Sequence, residues 1–547
     1  MCFPERRAQT AGCVYRLINR GYGSAHFFPS TVVREPVNFD QYAGYNLKFG
    51  GRHVSERENS ARTYLSKSLY IRGLQCPKSL WLDRYQPGMR DGIGPSQDRV
   101  FQNGIEVGRL AQRFFPGGIE IPHEGLTYAE KVGKTAAYIR DGITTLYEAS
   151  FRFDDVLVKA DILHKSQAGW DVYEVKGTTA IKDIHLDDAA VQHHVITGSG
   201  LPVAGVSLVH INNEYLRQGP LDVHKLFVSE DITHQVRNKQ SEVMVQIQLL
   251  RTMLQGTMPE VYIGKQCSDP YDCDFHGYCW RHVPEYSIFR LGGSKAKISE
   301  LYGKGLLHLD DVAPHLLSGS QRLVLEAYLE KKELVRAPQV KEFLDSLGYP
   351  LYFLDFETFS VPIPPFDNTR PYQHIPYQYS LHYLANEGAP LAHHEFLAQP
   401  ATDPRVDLIE KLLSEIPSDA CVLAYNAGYE ARILSELVGS LPRYRGRIET
   451  ILPNIRDLAG PFRTKAVYHW QMMGSYSQKA VLPALIPDLS YDRLEIGDGG
   501  AAMEAYFRMC ESVDGEEIAT IRRNLLDYCC LDTLGMVRLY ERLRELR

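Results

Sequence analysis

The chain has 547 residues, 44% of them hydrophobic and 23% charged, with a formal net charge of −7. That length exceeds one ordinary core and predicts two or three domains. The ordinary composition excludes a tail-like polymer, and the negative charge excludes a globally positive field, so any nucleic-acid partner is held by local basic grooves.

Residues 1–65, rich in Arg, Gly, Ser and Asn and without a sustained period, are predicted to be a disordered extension. The start MCFPERRAQTAGC lacks the apolar centre of a secretory signal, and no apolar run approaches the roughly 20 residues of a bilayer span. The expectation is a cytoplasmic protein without a membrane partner, whose ten cysteines are thiols or metal ligands rather than a disulfide framework. Patterning begins at YLSKSLYIRGLQCPKSLWLDRY, where Leu65, Leu69, Leu74, Leu80 and Leu82 point to helices. Short apolar strands then dominate from about 140 to 215, in FRFDDVLVKADILHK, GWDVYEVKG and VAGVSLVHI, giving an α/β domain over 66–284. Residues 285–346, including QRLVLEAYLEKKELV, read as short helices broken by glycine and proline, a helical connector. A second α/β unit over 347–547 opens with LYFLDFETF, continues through VLAYNAGYEARILSELV and closes with the helix LLDYCCLDTLGMVRLYERLREL. No internal repeat is found.

In VKADILHKSQAGWDVYEVKG, Asp161 precedes a turn and a strand on which Glu174 and Lys176 project to one side. A buried lysine beside carboxylates is stabilised by them and places a positive end near an attacking water or a phosphate. An ordinary amphipathic strand would account for EVK alone. The combination resembles the PD-(D/E)XK nuclease fold, a restriction-endonuclease-like α/β architecture, and implies Asp161 and Glu174 as metal ligands and Lys176 as catalytic lysine. DDAAVQHHVI places Gln192 on the following helix, where RecB-like members carry a Gln-containing motif, with Ile196 in place of its usual Tyr. In NGIEVGRLA, Gly108 stands where many relatives carry His, two residues after Glu106.

Cys267, Cys273 and Cys279 form C-x5-C-x5-C in QCSDPYDCDFHGYCW, and Cys76 in LQCPKS stands alone before the strands. Three clustered thiolates plus a distant one can tie the ends of a domain around a metal; the spacing is longer than the C-x2-4-C of zinc hairpins. This arrangement around a PD-(D/E)XK core resembles the iron-sulfur nucleases of RecB type, including the CRISPR-adaptation (Cas-four) nucleases. It implies a structural 4Fe-4S cluster, with zinc as the alternative. His276 reads as a surface residue, and Cys421, Cys529 and Cys530 read as packing.

In LYFLDFETFSVP, Asp355 and Glu357 alternate with Leu354 and Phe356 and point to one side of a strand. Two carboxylates that close repel, and a divalent cation would keep both ionised; solvated acids at a strand end are the alternative for DFE alone. In VLAYNAGYEARIL a strand runs into Asn426 and then a helical pattern, Tyr429, Ile433 and Leu434, with Glu430 on its first turns. In LLDYCCLDTLGM, Tyr528 and Asp532 share a helix face at i, i+4. In that order the three segments resemble the DEDD exonucleases of the proofreading superfamily, tyrosine subclass, over about 348–547. The resemblance implies a ribonuclease H-like fold, Asp355, Glu357, Glu430 and Asp532 as ligands of two divalent ions, and Tyr528 as the residue that orients the attacking water. Glu430 departs from the usual Asp. GSYSQKAVLPAL offers Ser475, Ser477 and Lys479 as phosphate contacts or solvated groups, and Asp457 is a further acid nearby.

The two halves together, with LDFETF and GSYSQKAVLPAL, resemble a bacterial family defined only as a domain of unknown function, over most of the chain after residue 65. The expectation is a nuclease dependent on Mg²⁺ or Mn²⁺, with two centres acting on nucleic acid, DNA ahead of RNA. A linear single strand or frayed end suits threading into such centres. The alternatives are a nucleic-acid-binding scaffold with one or both centres inert, motivated by Glu430, Gly108 and Ile196, and an RNA 3′-5′ exonuclease. No protein partner is indicated.

Overall fold

Asp154 and Asp155, both in the left-handed region at φ +46° and +47°, make the tight two-residue turn of the first long hairpin, a conformation that short polar side chains tolerate. The computed structural model containing this hairpin describes residues 64–547, Ile93 excepted. The extension expected over 1–65 lies outside the described residues apart from Tyr64 and Leu65. The fold is mixed α/β, with several sheets.

The N-terminal half is built on a seven-stranded sheet. Its strands are β1 (Leu65–Ser66), β2 (Ile119–Glu120), β3 (Thr145–Phe153), β4 (Val156–Lys165), β5 (Trp170–Lys176), β6 (Val203–Ile211) and β7 (Phe227–Asp231). Strands β2 to β7 follow one another in order and β1 adds in parallel to β4. The central pairings β3-β4 and β4-β5 are antiparallel and β5-β6 is parallel. Helices α1 (Lys67–Gln75), α2 (Pro77–Tyr85), α3 (Pro95–Ala111), α4 (Asp183–Gly198) and α5 (Gln240–Gln255) accompany it. Leu146, Val158, Val172, Val191, Val195, Leu208, Ile247 and Leu250 close one core between sheet and helices, each such side chain contributing about 1.5–3 kcal/mol on full burial. Cys76 ends α1 and begins α2 in extended conformation, with Pro77 at the first position of the new helix, where its missing N–H costs nothing.

The C-terminal half carries β8 (Glu333–Val335), β9 (Leu351–Phe359), β10 (Ile375–Leu384), β11 (Ala392–Leu397), β12 (Cys421–Ala424), β13 (Ile455–Asp457) and β14 (Val467–His469). Five of these form a sheet in the order β11-β10-β9-β12-β13. The pairs β11-β10 and β10-β9 are antiparallel, and β9-β12 and β12-β13 are parallel. The run LYFLDFETF is almost wholly buried because β9 is the central strand, paired on both edges. Its helices include α6 (Gly319–Glu330), α7 (Gly428–Ser440), α8 (Gln478–Leu485), α9 (Gly499–Glu511) and α10 (Gly515–Glu545).

Residues 285–346 hold short helices and the strand β8, and they are more than a spacer. Ile288, Leu301, Leu309, Val324 and Leu325 share one core with Leu351, Phe353, Leu423 and Leu539, and β8 pairs with β14. Among the described residues the two halves touch at several places, two of them near the candidate sites. Arg99 of α3 donates to Glu504 (2.8 Å) and Glu511 (2.9 Å) of α9 and lies over the Phe507 ring. The loop between β9 and β10 accepts two hydrogen bonds from Arg217, at the carbonyls of Pro364 and Pro365, and returns the Tyr372 hydroxyl to the Gly177 carbonyl, next to Lys176. Among the described residues no helix is long and apolar enough to cross a membrane.

Candidate metal centres

The period-two geometry of β9 puts Asp355 and Glu357 on one face. Their carboxylates and the Cys529 thiol of α10 offer ligand atoms that all lie within 4.8 Å of one another. Asn426, in the left-handed region at φ +64°, turns the chain from β12 into α7, and its N–H donates to Asp457 Oδ1 at 3.0 Å. That turn drives Glu430, in the first turn of α7, into the interior: it is 2% exposed and its Oε2 has no hydrogen-bond partner. One turn of α10 separates Tyr528 from Asp532. The Asp532 carboxylate accepts from the Tyr491 hydroxyl at 2.5 Å, and Tyr528 also favours its ionised form.

Burial dominates the electrostatics here. It pushes Asp355 well above the usual carboxylate range, and the charges of Asp532, Glu357 and Glu430 push the same way. Glu357 is raised by burial and by the charges of Asp532 and Asp498, with Lys479 opposing. Glu430 is pushed up to about 8 by burial, against a backbone hydrogen bond and with the charge of Asp457 adding. Asp532 reaches only about 6, because Tyr491, Lys479 and Tyr528 favour its ionised form. A cluster of buried carboxylates with one unpartnered oxygen is the donor set of a hard divalent cation such as Mg²⁺ or Mn²⁺.

Asp161, Glu174, Lys176 and Gln192 also come together. Glu174, 1% exposed, accepts from Lys176 Nζ and from Lys67 Nζ of α1, both at 2.7 Å to Oε1, and from Gln192 Nε2 at its other oxygen. Although burial works against it, these ammonium groups hold Glu174 well below the usual range. Asp161 accepts from the Val175 N–H at 2.7 Å and is raised to about 7 by burial and the Glu174 charge. Lys176 also bonds Asp188 of α4, and the buried Gln192 Oε1 has no partner. A cation on Glu174 would displace one of the three donors now held there. Glu106 is exposed on α3.

Cys76, Cys267, Cys273 and Cys279 are free thiols that line one cavity, with Lys78, Ser79 and Phe275. The cysteine loop is stitched to α1: Arg72 bonds Asp274 (2.6 Å), and Gln75 donates to the carbonyls of Gln266 (2.8 Å) and Tyr271 (2.6 Å). Burial raises Cys76 to about 11, with Cys273 and Cys267 adding. Triplets of metal-ligating atoms within 4.8 Å of one another occur elsewhere among the described residues, not at these four sulfurs. His276 is exposed and stacks on Trp280, at 4.8 Å between ring centroids.

Several residues here escape a reading of the sequence. Lys67 and Tyr491 carry no local signal, whereas Asp188 stands at i, i+4 to Gln192 and its helix face was legible. Lys479 acts on the acid centre: its ammonium bonds the Gly497 carbonyl at 2.8 Å, 5.7 Å from the Tyr491 and Tyr528 ring centroids. Asp457 is engaged by Arg463 at 2.7 Å and braces the turn at Asn426. Cys529, read as packing, is buried but faces Asp355 at 3.7 Å.

Residues 352–477 match the family described as a domain of unknown function, DUF2779. That span holds Asp355, Glu357 and Glu430 and ends before Lys479, Tyr528 and Asp532. A protein of Mycoplasma pneumoniae, described as an uncharacterized protein, MG366 homolog, is 24% identical over 314 residues, covering 49% of this chain and 47% of the relative. The chain therefore spans about half the length of that curated relative. No solved structure matches the chain.

Proposed function

We propose that the chain is a metal-dependent nuclease, with an exonuclease centre at Asp355, Glu357, Glu430 and Asp532 and a second centre at Asp161, Glu174 and Lys176. The observation that carries this reading is the buried pair Asp355 and Glu357 on β9, with Asp532 of α10 and Glu430 of α7 near enough for their charges to raise Asp355, and with Glu430 Oε2 left without a partner. The sheet supports it: in order of appearance its strands run 3-2-1-4-5 with the second antiparallel, the arrangement expected of a ribonuclease H-like domain. Divalent ions held there would activate water and stabilise the leaving oxygen of a phosphodiester.

The chain's own residues do the rest. Tyr528 holds its hydroxyl beside Asp532, placed to orient a water. Tyr491 keeps Asp532 ionised near neutral pH. Lys479 offers the ammonium group that would meet a phosphate oxygen. At the other centre Lys176 stays protonated under Asp188 and Glu174, fit to stabilise negative charge on a phosphate rather than to remove a proton. The four cysteines would hold a structural cluster joining the two ends of the N-terminal domain. DNA is the substrate we favour.

A second reading applies to the N-terminal centre alone: Glu174 is saturated by Lys67, Lys176 and Gln192, which favours binding of nucleic acid without cleavage. The test is degradation of end-labelled DNA and RNA by the purified full chain with Mg²⁺ or Mn²⁺, alongside Asp355→Ala and Lys176→Ala. Degradation unchanged by both substitutions would overturn the assignments; loss with Asp355→Ala alone selects the second reading.

A further inference from the structure

The edge of the second sheet carries a cluster that the carboxylate centre does not use. His382 of β10 and His393 of β11 are directly opposed in the antiparallel register, and their rings stack with centroids 4.3 Å apart and planes 27° from parallel. Cys530 of α10 packs against them, so that one ligand atom from each of the three lies within 4.8 Å of the others. Hydroxyl groups already orient both imidazoles. Thr533 Oγ1 is 2.8 Å from His382 Nδ1 and 2.6 Å from Ser380 Oγ, which in turn is 2.9 Å from His393 Nε2. These bonds use one nitrogen of each ring and leave His382 Nε2 and His393 Nδ1 for a ligand. That is how outer hydroxyls fix metal-binding histidines.

We propose that His382, His393 and Cys530 form a zinc site that fastens α10 to the β10–β11 hairpin. Two imidazoles and a thiolate are a borderline-soft donor set, suited to Zn²⁺ and poorly suited to Mg²⁺ or Mn²⁺, which take oxygen. Tetrahedral zinc with its usual bond lengths sets the N···N and N···S separations at about 3.3–3.6 Å, and the three ligand atoms already lie within 4.8 Å of one another, a gap that side-chain rotation of up to about 1.5 Å closes. Glu395 pairs with Ser380 across the strands and therefore lies on the same sheet face as His393. Its charge acts on both His393 and Cys530; it lies outside the 4.8 Å group and would turn in to take the fourth position. Zn²⁺ with two neutral imidazoles, one thiolate and one carboxylate has no net charge, which suits a half-buried place. Since β11 is the edge strand, the cluster lies at a rim that an ion can reach.

The site is chemically separate from the acid centre although one helix serves both. Cys530 lies two residues from Tyr528 and from Asp532, which places it about 200° around α10 from each. Zinc here would hold the helix that carries Tyr528 and Asp532, and the proposal stands whether or not the acid centre cuts nucleic acid.

The test is zinc content. Full-length wild type, Cys530→Ser, His393→Gln and Glu395→Gln are stripped with chelator, reloaded with zinc chloride, desalted and analysed by elemental mass spectrometry, with circular dichroism to check folding. Metal in the four-cysteine pocket is common to all and cancels in the difference. Cys530→Ser and His393→Gln are expected to hold about one equivalent of zinc fewer per chain, and Glu395→Gln to bind at least about tenfold more weakly. Cobalt(II) in place of zinc should give a thiolate charge-transfer band whose intensity falls in Cys530→Ser. Equal zinc in wild type, Cys530→Ser and His393→Gln overturns the proposal, as does a cobalt spectrum unchanged by Cys530→Ser. Should a variant fail to fold, the Cys273→Ser/Cys279→Ser protein, whose four-cysteine pocket is broken, decides: zinc must raise its unfolding temperature and cobalt(II) must give a thiolate band, and the absence of either counts against the site.

Discussion

Glu430 gives the most direct test of the electrostatics. In the chelator-treated protein its carboxyl is buried, lacks a partner at Oε2 and is pushed up to about 8, against 4.5 for a free glutamate. Between those values the unfolded chain has released a proton that the folded chain still holds, so stability falls as pH rises through the window. The slope is about 1.4 kcal/mol per pH unit, which accumulates to roughly 3 kcal/mol between pH 4.5 and pH 7. Glu430→Gln keeps the shape and removes the titration. Any fixed cost of burying the amide is the same at every pH and drops out of the comparison. Asp355 stays raised in both proteins, because its own burial is its largest cause. Urea unfolding in chelator from pH 4.5 to pH 8 is therefore expected to show the variant gaining on wild type by roughly 3 kcal/mol up to pH 7. Added Mn²⁺ should reverse the ranking, since only wild type retains the full set of acids. A stability difference that stays flat across that pH range would refute the reasoning.

Three further outcomes are expected. Asp355→Ala should slow removal of nucleotides from a 3′ end by about 100-fold or more, several kcal/mol of transition-state stabilisation, while Lys176→Ala leaves that reaction intact; end-labelled DNA read on sequencing gels separates the two. Tyr491→Phe removes a hydrogen bond that holds Asp532 near 6, so the acid limb of the pH–rate profile should move upward by roughly one pH unit, and a limb that moves downward or stays put contradicts that role. Cys273→Ser should lose iron and brown colour on anaerobic purification, whereas Cys421→Ser, buried in the C-terminal core, keeps both; wild type rich in zinc and free of iron would remove the cluster.

The acid centre was legible where its signals are local. Asp355 and Glu357 follow from the period of a strand, Tyr528 and Asp532 from the pitch of a helix, and Glu430 from a strand that breaks at Asn426 into a helix. Lys67, Tyr491 and Lys479 were illegible or underweighted, because they arrive from segments whose own patterns say nothing about where they dock. Cys530 shows the same limit: beside Cys529 in an apolar helix it reads as packing, and only the register of β10 on β11 brings two histidines to it. The helical character of 285–346 was legible from its periodicity. Its membership of the C-terminal core was not, since apolar spacing along a helix reveals that a face is buried and leaves open against what.

That shared core has a practical corollary. Leu301, Leu309, Val324 and Leu325 pack with Leu351, Phe353 and Leu539, and β8 supplies half of the β8–β14 ribbon. A recombinant piece starting at residue 347 would emerge with its greasy underside bare and its ribbon unzipped, prone to clumping and to proteases. Starting the piece near Tyr286 keeps that lining in place, and is the cut we would make to study the C-terminal half on its own.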